Sequence, residues 1–145
     1  MSAPVPQSLK NHVRWDPLFH FFALPVFLLG SLWSIIHLVR HPNLHTAGLM
    51  LVIFAAAITT LKTRMYAVKV QTRVIRLEER LRLHELLADP LRSRIPELTE
   101  GQLVALRFAS DGECAALVEK TLTANLKNAD IKKAVVTWRA DEWRV

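Results

Sequence analysis

Two apolar segments lie back to back in the first half of the chain, FFALPVFLLGSLWSIIHLV (residues 21–39) and TAGLMLVIFAAAITTL (residues 46–61). The first holds nineteen residues without a formal charge, and as a helix it spans ~28 Å at ~1.5 Å per residue, close to the hydrocarbon thickness of a bilayer. The second is shorter, but the long side chains of Lys62 and Arg64 follow it and can reach the headgroups. The pattern predicts an all-α membrane protein built on a two-helix transmembrane hairpin.

A cleaved signal peptide is the competing interpretation of the first segment, because Lys10 and Arg14 precede it. However, the apolar run is longer than the ~7 to 15 residues typical of such peptides. Arg40-His41-Pro42 also follows the run in place of a small-residue cleavage site. We therefore expect an uncleaved anchor.

The orientation of the hairpin follows from its Lys and Arg residues. Nine of them lie between Lys62 and Arg94, and Lys10 and Arg14 precede the first segment, whereas the connection between the segments carries only Arg40. Basic residues near membrane helices stay on the cytoplasmic side. Both termini are predicted to be cytoplasmic, which in a bacterium means an inner-membrane protein.

The short connection, residues 40–45, requires the two helices to pack antiparallel. Small residues recur at four-residue spacing in each helix, a pattern that permits close helix approach in membranes. These residues are Gly30 and Ser34 in the first helix and Ala56 and Thr60 in the second.

The second helix is predicted to continue into the cytoplasm as a stalk, because neither Gly nor Pro occurs between Leu49 and Asp89. An apolar seam with the four-three-four spacing of a heptad runs along it. Glu78 is placed to pair with Arg82 at i,i+4. The seam can dock the chain's own tail or a second copy, and we expect self-docking, since the short tail needs a surface for its core. The seam residues are Val70, Val74, Leu77 and Leu81.

The tail is predicted to form a small helical cluster. Thr99 with Gln102 forms a capping box that opens a helix to Ala109, and Ser110 with Glu113 opens another to about Leu126. Asp89-Pro90 is predicted to start a short helical turn that ends at Pro96, and Asn128 or Asp130 to cap a third helix. Trp138 and Trp143 are expected to pin the chain end by packing onto the stalk, and insertion at the membrane interface is the alternative. Predicted core positions are Leu103, Leu106, Phe108, Ala116, Leu117, Leu122, Ile131, Val135 and Val136.

These patterns divide the chain into six segments. They are an N-terminal cytoplasmic segment (1–16), a first transmembrane helix (17–40), an external loop (41–45), a second transmembrane helix (46–65), a basic helical stalk (66–95) and a cytoplasmic helical tail (96–145).

The basic residues after the second segment are typical of a cytoplasmic membrane surface. The formal net charge is +6, and each Lys or Arg near an anionic leaflet gains ~1 kcal/mol. Only Tyr66 interrupts the basic stretch with an aromatic ring, which argues against a nucleic-acid partner. The candidate contacts to anionic lipid are Lys62, Arg64, Lys69 and Arg73.

Histidines give the only candidates for chemistry. His37 lies within a membrane segment, where an ionisable side chain is a functional candidate, and His20 lies just before it. His37, His41 and His45 recur every four residues, but Pro42 interrupts any helix through them, so no metal site is predicted. No phosphate loop, nucleophile elbow, HExxH or CxxC motif occurs. We expect no catalytic residue, cofactor or enzyme activity, and an inert buried thiol at Cys114.

Three stretches resemble a family of small bacterial two-pass membrane proteins whose function is unknown. They are NHVRWDPLFHFF (residues 11–22), VQTRVIRLEERLR (residues 70–82) and ELTEGQLVALRFASD (residues 97–111). The resemblance covers nearly the entire chain. It implies a bacterial inner-membrane setting and one shared architecture, and it implies no activity, substrate or catalytic residue.

The sequence favours a non-enzymatic, membrane-anchored interaction or scaffold protein. Its expected partners are the lipid bilayer and, through the stalk and tail, a second copy or another protein. The alternative is a small accessory subunit of a transporter or membrane redox complex that uses His37 or His20 within the bilayer.

Overall fold

The computed structural model describes residues 7–11 and 15–141, and apart from one isolated β-bridge their regular secondary structure is all helical. A π-helical segment, Leu18–Ala23, leads directly into helix α1, Leu24–Arg40. Helix α2 runs without interruption over Leu44–Leu86. A 3₁₀ helix, Arg92–Glu97, and three short helices follow, α3 (Glu100–Leu106), α4 (Asp111–Ala124) and α5 (Asn128–Ala134). The predicted helical class and the uninterrupted second helix are confirmed.

The described residues form two compact units. We call residues 15–69 the hairpin unit, and residues 7–11 with 70–141 the tail unit. Helix α2 contributes its first part to the hairpin unit and its last part to the tail unit.

In the hairpin unit, the helices are antiparallel. Gly30 of α1 faces Ile53 of α2, and Asp16 forms an ion pair with Arg64 at 3.4 Å. A Cβ built on Gly30 would lie 3.8 Å from the Ile53 side chain, an ordinary van der Waals distance. The two helices therefore approach each other closely at Gly30, as the small residues predicted, and the residue opposite is the β-branched Ile53.

The connection between the helices is shorter than the expected loop, because α2 begins at Leu44. Asn43 accepts a hydrogen bond from the backbone N–H of Thr46 (2.9 Å), and the Thr46 hydroxyl oxygen accepts one from the N–H of Asn43 (3.2 Å). Such reciprocal capping fixes the start of a helix. Leu44 and His45, which we expected in the loop, therefore begin the helix.

The tail unit is built around a core shared by the end of α2, the 3₁₀ helix and α3–α5. Leu83 of α2 and Leu87, the residue that follows the helix, are 0% and 1% exposed. Cys114, in α4, is also fully buried, as predicted. The other members of the buried core are Ile95, Leu98, Leu103, Ala105, Leu106, Phe108, Ala109, Leu117, Val118, Ile131 and Val135.

Both predicted capping boxes of the tail are present, at Thr99 with Gln102 and at Ser110 with Glu113. Helix α3 ends at Leu106 and not at the predicted Ala109, because the chain after Leu106 turns into an extended segment. In that segment the backbone N–H of Ser110 donates to the Thr137 carbonyl (3.1 Å), and the backbone N–H of Arg139 donates to the Phe108 carbonyl (2.8 Å).

Several local predictions for the tail are wrong. Asp89-Pro90 is a turn with a cis peptide bond, and Leu91 precedes the 3₁₀ helix, which continues through Pro96 to Glu97. Lys127 precedes α5, so neither Asn128 nor Asp130 caps it.

Two predicted core residues are also misplaced, since Ala116 is exposed and Val136 is 85% exposed. Val136 lies in an extended segment and uses its N–H to bond Glu113, with its side chain outward.

Candidate interaction surface

Helix α2 presents two different faces within the tail unit. On one face Ile75, Glu79 and Leu83 recur every four residues, and Leu87, just after the helix, continues this row; we call these four residues the docking face. Glu79, Leu83 and Leu87 are 2%, 0% and 1% exposed, so the tail helices cover this face. The tail thus docks on α2 as expected, but through a different set of residues from the predicted one.

The predicted seam lies outside this contact. Val70, Val74, Leu77 and Leu81 are 61%, 47%, 60% and 58% exposed. Self-docking through the seam is therefore wrong, because the stripe through Ile75, Leu83 and Leu87 already provides the apolar surface that the tail needs. The seam leaves four large apolar side chains exposed along one side of the helix.

Glu79 is the buried charge in the docking face. Its carboxylate accepts a hydrogen bond from Arg82 (2.8 Å) and lies 3.9 Å from an Arg139 guanidinium nitrogen. Burial raises the pKa of Glu79 above its ordinary value, and the two arginines oppose this shift. The predicted partner of Arg82 was Glu78; the pair instead forms with Glu79, at i,i+3, because Glu79 points into the tail.

Arg82 holds three parts of the tail unit together. Besides Glu79, it donates to the Asp111 carboxylate (2.9 and 2.7 Å) and to the Ala109 carbonyl (2.7 Å). These bonds join α2 to the start of α4 and to the extended segment before it. The anionic partners keep the pKa of Arg82 raised, although burial alone would lower it.

A cavity of about 320 Å³ lies beside this cluster. Its charged lining residues are Glu78, Glu79, Arg82, Arg107, Arg139 and Asp141. Arg107 pairs with Asp141 at 3.2 Å, so each of the three arginines has a carboxylate near it. The arrangement is a compensated ion-pair network that joins α2, Arg107 just after α3, and the segment from Arg139 to Asp141.

Glu113 performs a similar joining role at the other side of α4. Its carboxylate accepts hydrogen bonds from the backbone N–H groups of Ser110 (3.1 Å), Val136 (3.0 Å) and Thr137 (3.1 Å). These bonds lower the pKa of Glu113 against the opposing effect of burial, which is the largest single contribution. Trp138 then packs on Phe108, with ring centroids 4.9 Å apart, and so pins this segment within the tail. Packing of the tryptophans on the stalk stays a prediction, and Trp143 lies outside the described residues.

The sequence also left a signal for the docking face. Ile75, Leu83 and Leu87 have helical spacing, and Glu79 falls in the same row. The heptad spacing of Val70, Val74, Leu77 and Leu81 is more regular, and it led to the wrong prediction that the tail packs on the opposite face of α2.

The predicted histidine candidates occupy separate environments. The His37 ring stacks on Trp33 at 5.0 Å and lies 5.2 Å from the His41 ring. The His20 ring is 2.9 Å from the Asp16 carbonyl and meets Trp15 edge-on at 5.0 Å. Residues 7–11 and 15–141 contain no group of three His, Cys, Asp or Glu residues placed to hold a metal ion. A role for His37 or His20 in an accessory subunit stays a prediction.

The predicted lipid contacts also differ from one another. Lys62, Lys69 and Arg73 are exposed. Arg64 is partly covered, since it pairs with Asp16 and lies 5.5 Å above the Phe19 ring.

The structure thus defines a helical protein with two long apolar helices, Leu18–Arg40 and Leu44–Leu86, each of which meets the length and composition of a membrane span. The chain belongs to the Family of unknown function (DUF6526), whose model matches residues 1–145. This confirms the resemblance to a family without an assigned function. A search of curated proteins and a search of solved structures each found no match.

Proposed function

We propose that this chain is a non-enzymatic interaction protein anchored in a bacterial inner membrane by the hairpin unit, with both termini in the cytoplasm. The carrying observation is the exposed apolar surface of the hairpin unit. Large side chains of both helices point outward, including Leu28 at 64%, Leu29 at 68%, Leu51 at 69% and Val52 at 65% exposure. In water a surface of this kind drives aggregation, whereas a bilayer covers it without cost.

The N-terminal segment supports the proposed orientation. The backbone N–H of Asp141 donates to the Gln7 side chain at 2.8 Å, and the Gln7 amide donates to the Asp141 carbonyl at 3.3 Å. Gln7 precedes the first apolar helix, and Asp141 lies near the end of the chain. A chain that crosses a membrane twice brings these two residues to one side, as their hydrogen bonds require.

The charge distribution supports the cytoplasmic side. Lys62, Lys69 and Arg73 are exposed at the end of the second apolar segment, and such residues favour the cytoplasmic leaflet. The connection between the helices, His41–Asn43, carries no Lys or Arg, and Arg40 stands alone before it.

An interaction role is supported by the tail unit. Arg82 and Arg107 are held in ion pairs with carboxylates, and the extended segment at Val136 and Thr137 is fixed by Glu113. The unit is therefore a folded scaffold on α2, and the exposed seam is the surface it leaves for a partner.

The anchor is tested by fractionating bacterial cells that express the full chain. We expect the protein in the membrane pellet after an alkaline carbonate wash and in the supernatant only after detergent. Release by carbonate alone would contradict an anchor that spans the bilayer.

A further inference from the structure

The exposed seam has charged flanks of alternating sign. With Val74 and Leu81 at position a of a heptad and Val70 and Leu77 at position d, the g positions are Arg73 and Arg80. The e positions are Gln71, which is uncharged, and the two acidic residues Glu78 and Glu85. All four charged flanking residues are exposed, and none forms an ion pair with another residue in the described ranges 7–11 and 15–141.

The arrangement of these charges fits a second copy of the same chain. In a parallel, in-register pair of helices, a g residue faces the e residue five positions later on the other helix. Arg73 then faces the partner's Glu78, and Arg80 faces the partner's Glu85. The twofold symmetry repeats both contacts, so four ion pairs flank the seam.

We propose that the seam is a homodimer interface, a short parallel coiled coil between the α2 helices of two copies. An antiparallel pair places g beside g and e beside e. That arrangement brings arginine against arginine and glutamate against glutamate, and like charges repel. The charge pattern therefore selects the parallel orientation by itself.

The tail leaves the four seam residues exposed. The docking face lies on the other side of α2. The tail residue Glu100 pairs with Arg76, at position c, and lines a pocket with Arg73, Leu77 and Arg80 at the edge of the seam. Val74 at a and Leu77 at d also give the central layers that favour two strands.

A seam of about two heptads is short for a stable dimer in water. Here the inference rests on the proposed function: two copies anchored in one membrane share an orientation, and their confinement raises the effective concentration of one seam for the other. The parallel arrangement required by the charges is also the one that a shared membrane allows.

Disulfide cross-linking of the full chain in its membrane tests the interface. Val70→Cys and Val74→Cys place a thiol at d and a positions, and Val136→Cys is the matched control, an exposed valine of the same unit away from the seam. The native Cys114 is buried and stays unreactive. We expect a dimer band under mild oxidation for the two seam variants and none for the control. Equal cross-linking at Val136, or a dominant cross-link to a protein of another size, would overturn the proposal.

Charge reversal in the Val74→Cys background tests the orientation. Arg73→Glu with Arg80→Glu should lower the dimer yield roughly tenfold, because four pairs become repulsive. Adding Glu78→Arg and Glu85→Arg should restore the yield, since every pair is again opposite in charge. The control, Lys120→Glu with Lys127→Glu, makes the same change in net charge on exposed sites off the seam and should leave the yield unchanged. Failure of the restored variant would overturn the parallel register.

The same samples separate the two proposals. A chain that stays in the carbonate-washed membrane but gives no seam cross-link overturns the homodimer and leaves the anchor intact. A chain that cross-links at the seam but is released by carbonate overturns the anchor and leaves the dimer intact.

Discussion

Leu77 and Glu79, two residues apart on α2, have opposite fates: Leu77 is 60% exposed, whereas Glu79 is 2% exposed. Two residues along an α-helix differ in direction by ~200°. The apolar side chain thus points out of the tail unit, and the charged one points into it. Glu79 points inward because Arg82 and Arg139 pair with it inside the tail unit. Leu77 points outward with the rest of the seam, which remains free for another helix.

Arg82→Met should loosen the tail unit. The substitution leaves Glu79 buried, with Arg139 at 3.9 Å as its remaining cationic neighbour. Removing one partner of a buried ion pair costs ~3 to 5 kcal/mol. Cys114, the only cysteine, is fully buried, and burial raises the pKa of its thiol to about 11. Its labelling at neutral pH therefore reports opening of the unit, and we expect it to be at least ~100-fold faster in Arg82→Met. Lys120→Met, at an exposed site of α4 away from the seam, is the control; equal rates in both variants would contradict the role of Arg82.

Acid should destabilise the tail unit through Glu113. Its folded pKa lies below the ordinary value of 4.5, so its contribution to stability is complete above that value and is lost as the pH falls through the folded pKa. Glu113→Gln should remove this pH dependence and weaken the unit at neutral pH by ~1 to 3 kcal/mol. Hydrogen exchange of α4 in the full chain, corrected for intrinsic rates between pH 5 and 3, measures both effects.

Glu97 gives the matched control for acid sensitivity. Its pKa is also lowered, by Arg94, but the pair lies at the surface with both side chains about half exposed, and such pairs contribute little to stability. Glu97→Gln should keep the acid response of the wild type. If it flattened the response as much as Glu113→Gln, the backbone contacts of Glu113 would not be its source.

Close packing in the hairpin unit should tolerate a methyl group at Gly30 and reject a larger side chain. A Cβ there meets Ile53 at 3.8 Å, whereas a Cβ at Gly48 has no heavy atom within 4 Å. Gly30→Ala should be near wild type, and Gly30→Leu should cost ~1 to 3 kcal/mol through overpacking. The midpoint of an SDS titration measures the difference, with Gly48→Leu as control. Equal midpoints for Gly30→Leu and Gly48→Leu would show that α1 and α2 do not meet at Gly30.

Anionic lipid should bind at the exposed basic residues after the second apolar segment. Replacing Lys62, Lys69 and Arg73 by Gln removes ~1 kcal/mol of attraction each near an anionic surface. We expect fewer phosphatidylglycerol molecules in native mass spectra of the full chain, and weaker retention at high salt in the wild type. A control that replaces Lys120, Lys127 and Lys133 should retain the wild-type number. Equal loss in both triple variants would indicate attraction to net charge alone.

The sequence predicted the helical class, the uninterrupted α2 and both tail capping boxes, because each depends on local spacing and hydrogen bonding. It did not predict which face of α2 the tail covers. That choice depends on contacts such as Arg82 with Asp111, 29 residues apart, and Arg139 with Glu79, and local periodicity holds no information on them. It also missed the early end of α3, since the pairing of Phe108 with Arg139 sets that boundary.

The most direct test of the membrane anchor is labelling of single introduced cysteines by a membrane-impermeant maleimide in bacterial cells with a permeable outer membrane. Leu44→Cys and Val136→Cys are matched sites, 90% and 85% exposed, in the connection-proximal turn of α2 and in the tail. We predict that Leu44→Cys reacts in intact cells and that Val136→Cys reacts only after the inner membrane is opened. Equal labelling of the two sites before the membrane is opened would contradict a hairpin that spans it with a cytoplasmic tail.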